Sequence, residues 1–239
     1  MASRNGRGTA CRAPTLSTGV IHYDVYTAKY HDIIQRRIRS EDDGMTDKRK
    51  ALIVYGTRYG ATKGTAEEIA TILRKEDIDV RVVNARKEQV DDVSPYDLVV
   101  VGSGIRMDMW TSEAESFIRK FQKELASKKV ALFVSAGSYA IDEFLGKQVT
   151  KIKEKYLDDK AAKYQLQPIA LGIFGGLWDR KTFPRWWKPA TLISKVFDID
   201  ARIKAAGYKE IQPGIWDSRD WNAIRAWAKQ LALQLSNAR

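Results

Sequence analysis

The stretch Tyr55-Gly56-Thr57-Arg58-Tyr59-Gly60-Ala61-Thr62-Lys63 decides the fold of this chain. It follows a short apolar run, Ala51 to Val54, that is typical of a buried strand. Behind it, apolar residues recur with the i, i+3, i+4, i+7 spacing of one helical face, at Ala66, Ile69, Ala70 and Leu73. A strand, a small-residue turn and a helix start form an anion site, because the first-turn N–H groups are unpaired and the helix dipole adds positive charge.

The spacing of this turn narrows the kind of phosphate that it suits. Its glycines fall at 56, 60 and 64, which does not fit the G-x-G-x-x-G dinucleotide fingerprint. Lys63-Gly64-Thr65 has the wrong order for a Walker loop. Hydroxyl groups at Thr57, Tyr59 and Thr62 remain, and they suit a single terminal phosphate. The alternative is an ordinary strand–helix connection, which is common in α/β domains.

Strands and helices alternate along the rest of the chain. Further strands are predicted at Val80–Val83, Leu98–Gly102, Val130–Val134 and Ile169–Phe174. Helices are predicted behind Ser112 and Glu115, which have capping-box spacing, in the Lys-rich segment from Gly146 to Tyr164, and around Ile224 to Leu235. This alternation predicts an α/β fold, a doubly wound five-stranded parallel sheet with helices on both faces.

Composition limits the chemistry of the domain. Hydrophobic residues make up 44% of the 239 residues, enough for a full core, and no run of about 18 apolar residues appears. The single cysteine, Cys11, excludes an intramolecular disulfide framework. Both histidines, His22 and His31, precede the first strand, so from Met45 onward we expect no histidine- or cysteine-based catalysis and no metal site. Chemistry in this domain would therefore be carried by a bound cofactor.

The chain is strongly basic, with a formal net charge of +11 and a pI near 9.6. A solvated basic surface is the simplest interpretation, and an anionic membrane surface, an acidic partner or an acidic substrate are the specific ones. No nucleic-acid-binding motif is visible, so we expect no nucleic acid partner. Residues 1–47 are predicted to form a disordered or weakly helical N-terminal extension, and residues 48–239 the folded domain.

Two more loops at the carboxyl edge of the predicted sheet have the composition of ligand loops. The first contains Ser103, Gly104, Ile105 and Arg106 and ends at Trp110. The second is Ser135-Ala136-Gly137-Ser138-Tyr139. Ligands of open parallel sheets bind at this edge, and small residues let the backbone approach them. Trp110 and Tyr139 either face a flat ring or pack in the core.

The three loops together resemble those of the flavodoxin family, over roughly Lys50 to Tyr139. The resemblance implies a flavodoxin-like fold and FMN as cofactor. It assigns the phosphate to Thr57, Arg58, Tyr59, Gly60, Ala61 and Thr62, and the flavin to Ser103–Arg106 and Ser135–Tyr139. Trp110, the aromatic residue at the end of the second loop, is a further cofactor-binding candidate because its flat ring could face the flavin. Ala61 departs from the family, in which many members carry a polar side chain. Arg106 is a candidate for tuning the flavin, because positive charge stabilises the reduced anionic ring.

A closer resemblance is to the flavodoxin-type protoporphyrinogen dehydrogenases of haem biosynthesis. The matching motifs are Thr57-Arg58-x-Gly60-x-Thr62, Gly102-x-x-Ile105-Arg106 and a basic, aromatic insertion at about 176–207. The insertion mixes aromatic with cationic side chains, among them Trp178, Arg185, Trp186, Trp187 and Lys188. Such a mixture suits an anionic membrane surface, although internal packing is the alternative. The third loop, Ser135 to Tyr139, matches these enzymes less well.

Three functions are open at the level of sequence. The first is a membrane-associated FMN oxidoreductase that oxidises protoporphyrinogen IX or a similar large apolar substrate and passes electrons to a redox partner or quinone. The second is a flavodoxin-type electron carrier between redox proteins, and a structural module without FMN is a third. The net positive charge favours the enzyme, because flavodoxins that act as electron carriers are typically acidic proteins that dock on basic partners. We expect a cytoplasmic protein that contacts the inner face of the membrane peripherally.

Overall fold

The structure, a computed structural model, describes residues 48–106, 108–137, 152–179, 204–205 and 207–236. The strands are β1 Lys50–Gly56, β2 Asp79–Asn84, β3 Leu98–Gly104, β4 Lys129–Ser135, β5 Pro168–Phe174, β6 Leu177–Asp179, β7 Lys209–Gln212 and β8 Ile215–Asp217. The α-helices are α1 Ala61–Lys75, α2 Ser112–Lys120, α3 Gln122–Ala126, α4 Asp159–Lys163 and α5 Trp221–Ser236. A π-helical turn, Glu154–Asp158, leads directly into α4.

The main sheet has five parallel strands in the order β2-β1-β3-β4-β5. The chain passes from β2, on one side of β1, to β3 on its other side, so the order reverses between β1 and β3. Such a reversal leaves a crevice at the carboxyl ends of the two strands, which is where doubly wound sheets bind ligands. The predicted α/β fold with a five-stranded parallel sheet is confirmed.

The apolar runs of the sequence form the centre of this sheet. Leu52, Val100 and Leu132, one from each of the three central strands, are fully buried. Strands covered on both faces exclude water from both sides, so their sequences are nearly continuous in aliphatic residues. The edge strands are less buried: β2 mixes exposed, half-buried and buried residues, and β5 is mostly half-buried.

Helices cover both faces of the sheet and form two core clusters. On one face, α1 contributes Ile69 and Leu73, which pack with Ile224 and Leu231 of α5. On the other face, α2, α3 and the π-helical turn supply another set of buried side chains: Ala114, Phe117, Ile118, Phe121, Leu125 and Leu157. The apolar helical stripes read from the sequence are therefore the core-facing stripes.

The predicted capping box at Ser112 and Glu115 is wrong. The residue before α2 is Thr111, and the Ser112 hydroxyl bonds the side chain of Glu113 instead. The Glu115 carboxylate accepts hydrogen bonds from Lys160 Nζ at 3.0 Å, Lys163 Nζ at 2.7 Å and the Tyr164 hydroxyl at 2.8 Å. Tertiary contacts to α4 thus replace the local cap, because two ammonium groups and a phenol bind a carboxylate better than one backbone N–H does.

A second, antiparallel sheet was not predicted from the sequence. Its order is β6-β8-β7, with Leu177 opposite Asp217 and Lys209 opposite the same residue on the other side. The predicted insertion at about 176–207 therefore begins in a strand. Its residues 180–203 and 206, like the predicted extension 1–47, lie outside the described residues. No helix in the described part of the chain is long and apolar enough to cross a membrane.

The Glu115 cluster makes stability depend on pH. Burial raises the pKa of the Glu115 carboxyl, but the hydrogen bonds from Lys163, Tyr164 and Lys160 lower it by more, to about 2. A carboxyl whose pKa is depressed on folding stabilises the protein above its unfolded pKa, near 4.3, and this contribution is lost as pH falls towards 2. Glu115→Gln should lower the free energy of unfolding by about 1–3 kcal/mol at pH 7.

Denaturant titrations of wild type and variant at several pH values measure this contribution. The difference between the two proteins should shrink between about pH 4.5 and pH 2, the window between the two pKa values. Glu124→Gln, at an exposed position of α3, is the matched control and should behave like wild type. A difference that is equally large at pH 2.5 and pH 7 would contradict this account of the cluster.

Candidate functional site

The turn between β1 and α1 is built around a glycine in the left-handed region. Gly60, the residue before α1, has φ +88°, which residues with a side chain adopt only with strain. Its N–H donates to Thr57 Oγ1 at 3.0 Å, and its carbonyl accepts the first helical bond from Gly64 N at 3.2 Å. The amides of residues 61–63 precede that bond and have no partner within the helix. No acidic residue lies in the first turn of α1, so the site is open to an anion.

Thr62 is the most informative residue of this turn. Its side chain is buried, with 1% exposed, and its hydroxyl oxygen has no hydrogen-bond partner among the described residues. Buried hydroxyl groups are nearly always bonded, so an orphan at a helix N-terminus indicates a missing ligand. Gly104, at the end of β3, lies close by, and a Cβ there would be 3.0 Å from Thr62 Oγ1. The second loop therefore approaches the turn through backbone alone.

The second loop turns back on itself immediately after β3. Arg106 and Met109 exchange backbone hydrogen bonds of 3.0–3.1 Å, with Asp108 at φ +62° between them. Ile105 N–H donates to the Ser135 carbonyl at 3.0 Å, which ties this loop to the third one. Arg106 is exposed, has no carboxylate partner among the described residues, and lies 5.9 Å from the centre of the Tyr59 ring.

The third loop is packed against the chain that follows β5. A Cβ on Gly176 would lie 2.8 Å from Gly137 N, and a Cβ on Gly137 would lie 3.0 Å from the Leu177 carbonyl oxygen. The two glycines therefore let the segments touch through their backbones. Beside them Ser135 Oγ is a second buried hydroxyl without a partner among the described residues.

The three loops enclose one cleft at the carboxyl edge of the sheet. Its lining residues come from the turn, from the second and third loops, and from the start of β6. They are Thr57, Arg58, Tyr59, Ala61, Thr62, Gly104, Ile105, Arg106, Ser135, Gly137, Gly176 and Leu177. Most of the residues singled out in the sequence are thus brought together, and Gly176 and Leu177 are additions to them.

Several predicted site residues lie behind this lining. The Ser103 hydroxyl is fully buried and accepts from Thr111 N at 2.9 Å, and Ala136 is also buried. Trp110 is 6% exposed and packs in the core, with its indole N–H donating to the Tyr156 carbonyl at 2.8 Å. This burial does not support the expectation that Trp110 faces a cofactor; its contacts are those of a packing residue, the alternative that the sequence left open. Ser138 and Tyr139 lie outside the described residues.

Arg219 is a residue of the site region that sequence reasoning missed. Its guanidinium forms a bidentate pair with Asp217, at 2.8 and 2.9 Å, and stacks on Trp221 at 4.3 Å. It also donates to the Ala61 carbonyl at 3.2 Å, in the first turn of α1, and a Cβ on Gly64 would lie 2.5 Å from it. Position 219 is 158 residues from position 61, and no local pattern in the sequence links them.

A 2-1-3-4-5 parallel sheet with a phosphate-type turn after β1 and two further loops at the switch point defines a flavodoxin-like protein. A family comparison identifies the chain further. The flavodoxin domain family matches residues 52–200, and the chain belongs to that family.

The curated relatives match only part of the chain. Protoporphyrinogen IX dehydrogenase [quinone] of Escherichia coli (strain K12) is 31% identical over 84 residues, which cover 35% of this chain and 46% of that protein. A flavodoxin of Clostridium beijerinckii is 33% identical over 87 residues, covering 36% of this chain and 63% of that one. The chain therefore spans about half to two thirds of the length of these relatives. Among solved structures, rubredoxin oxygen:oxidoreductase of Desulfovibrio gigas has a TM-score of 0.47 at 13% identity, over 80% of this chain and 37% of that one.

Membership of the flavodoxin family supports FMN as the cofactor and electron transfer as the general function. The residues of the cleft fit such a group. Two buried hydroxyls, Thr62 Oγ1 and Ser135 Oγ, line it without partners among the described residues. Around them the glycine backbones leave room for a ligand to approach closely.

The Asp217–Arg219 pair should matter for stability because both side chains are nearly buried, at 11% and 10% exposed. Removing one partner leaves the other charge buried and unpaired, which costs about 3–5 kcal/mol. Arg219→Gln should therefore lower the free energy of unfolding by that amount in a urea titration. The control is Arg225→Gln, since the Arg225–Glu68 pair is 47% and 23% exposed and should contribute less than about 1 kcal/mol. Equal losses in the two variants would contradict the role given to Arg219.

Proposed function

We propose that this chain is an FMN-dependent oxidoreductase whose cofactor lies in the cleft formed by the three loops. The phosphate would bind the turn Thr57–Thr62, and the flavin ring would lie between Gly104–Arg106 and the start of the third loop, Ser135 and Gly137. One observation carries the proposal, the buried Thr62 hydroxyl without a described partner at the N-terminus of α1. A phosphate oxygen at that position would satisfy this hydroxyl and the free amides of the helix start.

The residues around the cleft have distinct roles in this proposal. Thr57 accepts a hydrogen bond from Gly60 and so shapes the turn. Arg58 lies 3.5 Å from Glu113, which compensates part of its charge. The backbones of Gly137 and Gly176 touch and form part of the cleft wall, which would help to exclude water from a flavin held there. Bound FMN supplies the electron-transfer chemistry, in keeping with the absence of histidine and cysteine from Met45 onward.

Thr62→Val removes the orphan hydroxyl with little change in shape. A hydrogen bond to a charged group contributes about 1.5–3 kcal/mol, so the affinity for FMN should fall by about tenfold or more. Affinity for riboflavin, which lacks the phosphate, should not change. Fluorescence quenching of each flavin on titration with the apoprotein measures both constants.

The matched control lies in the same helix. Thr71→Val removes an exposed hydroxyl that bonds the Glu67 carbonyl at 2.9 Å, far from the cleft. It should leave both affinities unchanged. Equal affinity of the wild-type chain for FMN and riboflavin would refute the phosphate assignment.

Arg106 is proposed to tune the bound flavin. It lines the cleft, it is exposed, and among the described residues no carboxylate neutralises it. A cation beside the ring favours the reduced, more negative state, so the reduction potential should be less negative than in acidic carriers. Arg106→Glu should lower that potential in a potentiometric titration. An unchanged potential would show that Arg106 does not lie near the flavin ring.

The proposed substrate is a porphyrinogen or a similar large apolar molecule, with a quinone as acceptor. The E. coli relative named protoporphyrinogen IX dehydrogenase [quinone] supports this proposal over the 84 residues that align. The insertion at about 176–207 supports it through its sequence, since Trp178, Trp186 and Trp187 alternate with Arg185 and Lys188. Indole rings and cations together favour the interface of an anionic membrane, where such substrates partition.

Replacing Trp186 and Trp187 with Ala tests this surface. The FMN-loaded protein is mixed with anionic liposomes that carry protoporphyrinogen and a quinone, and both sedimentation with the vesicles and porphyrin formation are measured. The double variant should bind FMN normally but lose vesicle binding or turnover, and vesicle binding should weaken with salt. A double variant that keeps both vesicle binding and porphyrin formation would indicate that the two tryptophans serve internal packing instead. No porphyrin formation by the wild-type protein would favour the alternative function, an electron carrier between redox proteins.

A further inference from the structure

A basic groove lies directly beside the cleft, on the face of the sheet covered by α2 and α4. Its lining combines five cations, two carboxylates and a rim of apolar and hydroxyl-bearing groups: Arg58, Arg106, Asp108, Met109, Trp110, Thr111, Ser112, Glu115, Lys155, Tyr156, Lys160 and Lys163. Arg58 and Arg106 also line the cleft. The groove and the proposed flavin site are therefore continuous.

The three lysines of this groove are each paired with a carboxylate of its lining. Lys160 and Lys163 share the single carboxylate of Glu115, at 3.0 and 2.7 Å. Lys155 bonds Asp108 at 2.7 Å. With five cations against two carboxylates, the lining carries an excess of three positive charges. Charges of one sign along low-dielectric walls focus their field into the groove and attract a partner of opposite charge.

The groove also offers an apolar contact at its rim. Met109 is 64% exposed and closes the tight turn that starts at Arg106, with which it exchanges backbone hydrogen bonds. Short-lived redox complexes combine a small apolar contact with a charged surround and bury less than about 1,200 Å² in total. Methionine suits such a contact because its flexible, polarisable side chain adapts to different surfaces.

We propose that this groove is the docking site of an acidic redox protein that exchanges electrons with the bound flavin. The inference rests on the proposed function, since it needs FMN in the adjoining cleft. A partner seated between Arg106 and Lys163 lies next to the loop that lines the cleft, so its redox centre comes close to the flavin. The polarity is the reverse of that of an acidic carrier, with the cations on the flavoprotein and the carboxylates on its partner.

A concave groove fits a protein lobe better than a bilayer. A membrane presents a flat anionic plane, and Lys160, one of the cations that line the groove walls, is only 17% exposed. A protruding acidic lobe of a small protein can reach it. The proposed membrane contact belongs to the insertion, of which the structure describes the first strand, β6, paired with β8, and a few residues at its end.

The test uses the full FMN-loaded chain and plant-type ferredoxin, a small acidic iron–sulfur carrier, as the probe. Calorimetric titration with the oxidised ferredoxin, which does not reduce the flavin, gives the dissociation constant at low and at physiological salt, and stopped-flow absorbance with the reduced ferredoxin gives the rate of flavin reduction. The variant is Lys155→Gln with Lys163→Gln, which removes two cations of the groove and leaves Arg58 and Arg106 in place. The control is Lys75→Gln with Lys123→Gln, two exposed lysines at the opposite, amino edge of the sheet.

The wild-type chain and the control should bind ferredoxin at low salt and lose affinity as salt rises. The groove variant should bind about tenfold more weakly at low salt, with a flatter salt dependence and a correspondingly slower reduction, because steering charges act mainly on association. Absence of binding by the wild-type chain, or equal losses in both variants, would overturn the docking site. So would a groove variant that loses anionic-vesicle binding but keeps ferredoxin binding. Absorbance spectra taken first distinguish these results from a failure to bind FMN, which would instead overturn the proposed function.

Discussion

The close approach of the ends of β1 and β3 is the constraint on which the rest of the site depends. Gly56 pairs with Ser103 across the two strands, and a Cβ on Gly56 would lie 1.9 Å from Thr111 Oγ1. Thr111 is in turn held by Ser103, through its backbone N–H and its hydroxyl. Because no side chain separates these segments, the turn before α1 and the loop after β3 meet, and the Thr62 hydroxyl lies beside Gly104.

A cluster of positive charge lies beside the cleft of this flavodoxin-family domain. Part of the positive charge of the chain lies beside the cleft, where two lysines share one glutamate. Arg106 joins this region to the cleft without a carboxylate partner of its own among the described residues. Arg58 and Arg106 line both the cleft and the groove, so we propose that they act both on the flavin potential and on the docking of a partner.

Much of the fold could be predicted from the sequence because it rests on local, periodic signals. The aliphatic runs of β1, β3 and β4 are long enough to identify buried strands, and the apolar stripes of α1, α2 and α5 have clear helical spacing. The turn Gly56–Thr62 could also be recognised, since glycine and hydroxyl residues there serve backbone geometry. These features depend on neighbours in sequence, which is why one chain is enough to find them.

Features that depend on distant contacts could not be predicted. Glu115 has the spacing of a capping residue, yet lysines some 45 positions away bind its carboxylate. Trp110 ends a ligand loop in sequence, but the carbonyl of Tyr156 draws its indole into the core. The strands β6 and β8 have three residues each and depend on pairing within the three-stranded sheet, so neither gives a periodic signal alone. Arg219 reaches α1 only because that small sheet positions it.

The most direct test of the central claim is a titration of the isotopically labelled apoprotein with FMN, followed by the backbone amide resonances. The account predicts large shifts for residues 57–63, where the phosphate meets the helix start, and for the loops after β3 and β4. Riboflavin should reproduce the shifts of the two later loops and leave those of residues 57–63 small. Shifts confined to the opposite edge of the sheet, or identical responses of residues 57–63 to both flavins, would contradict it.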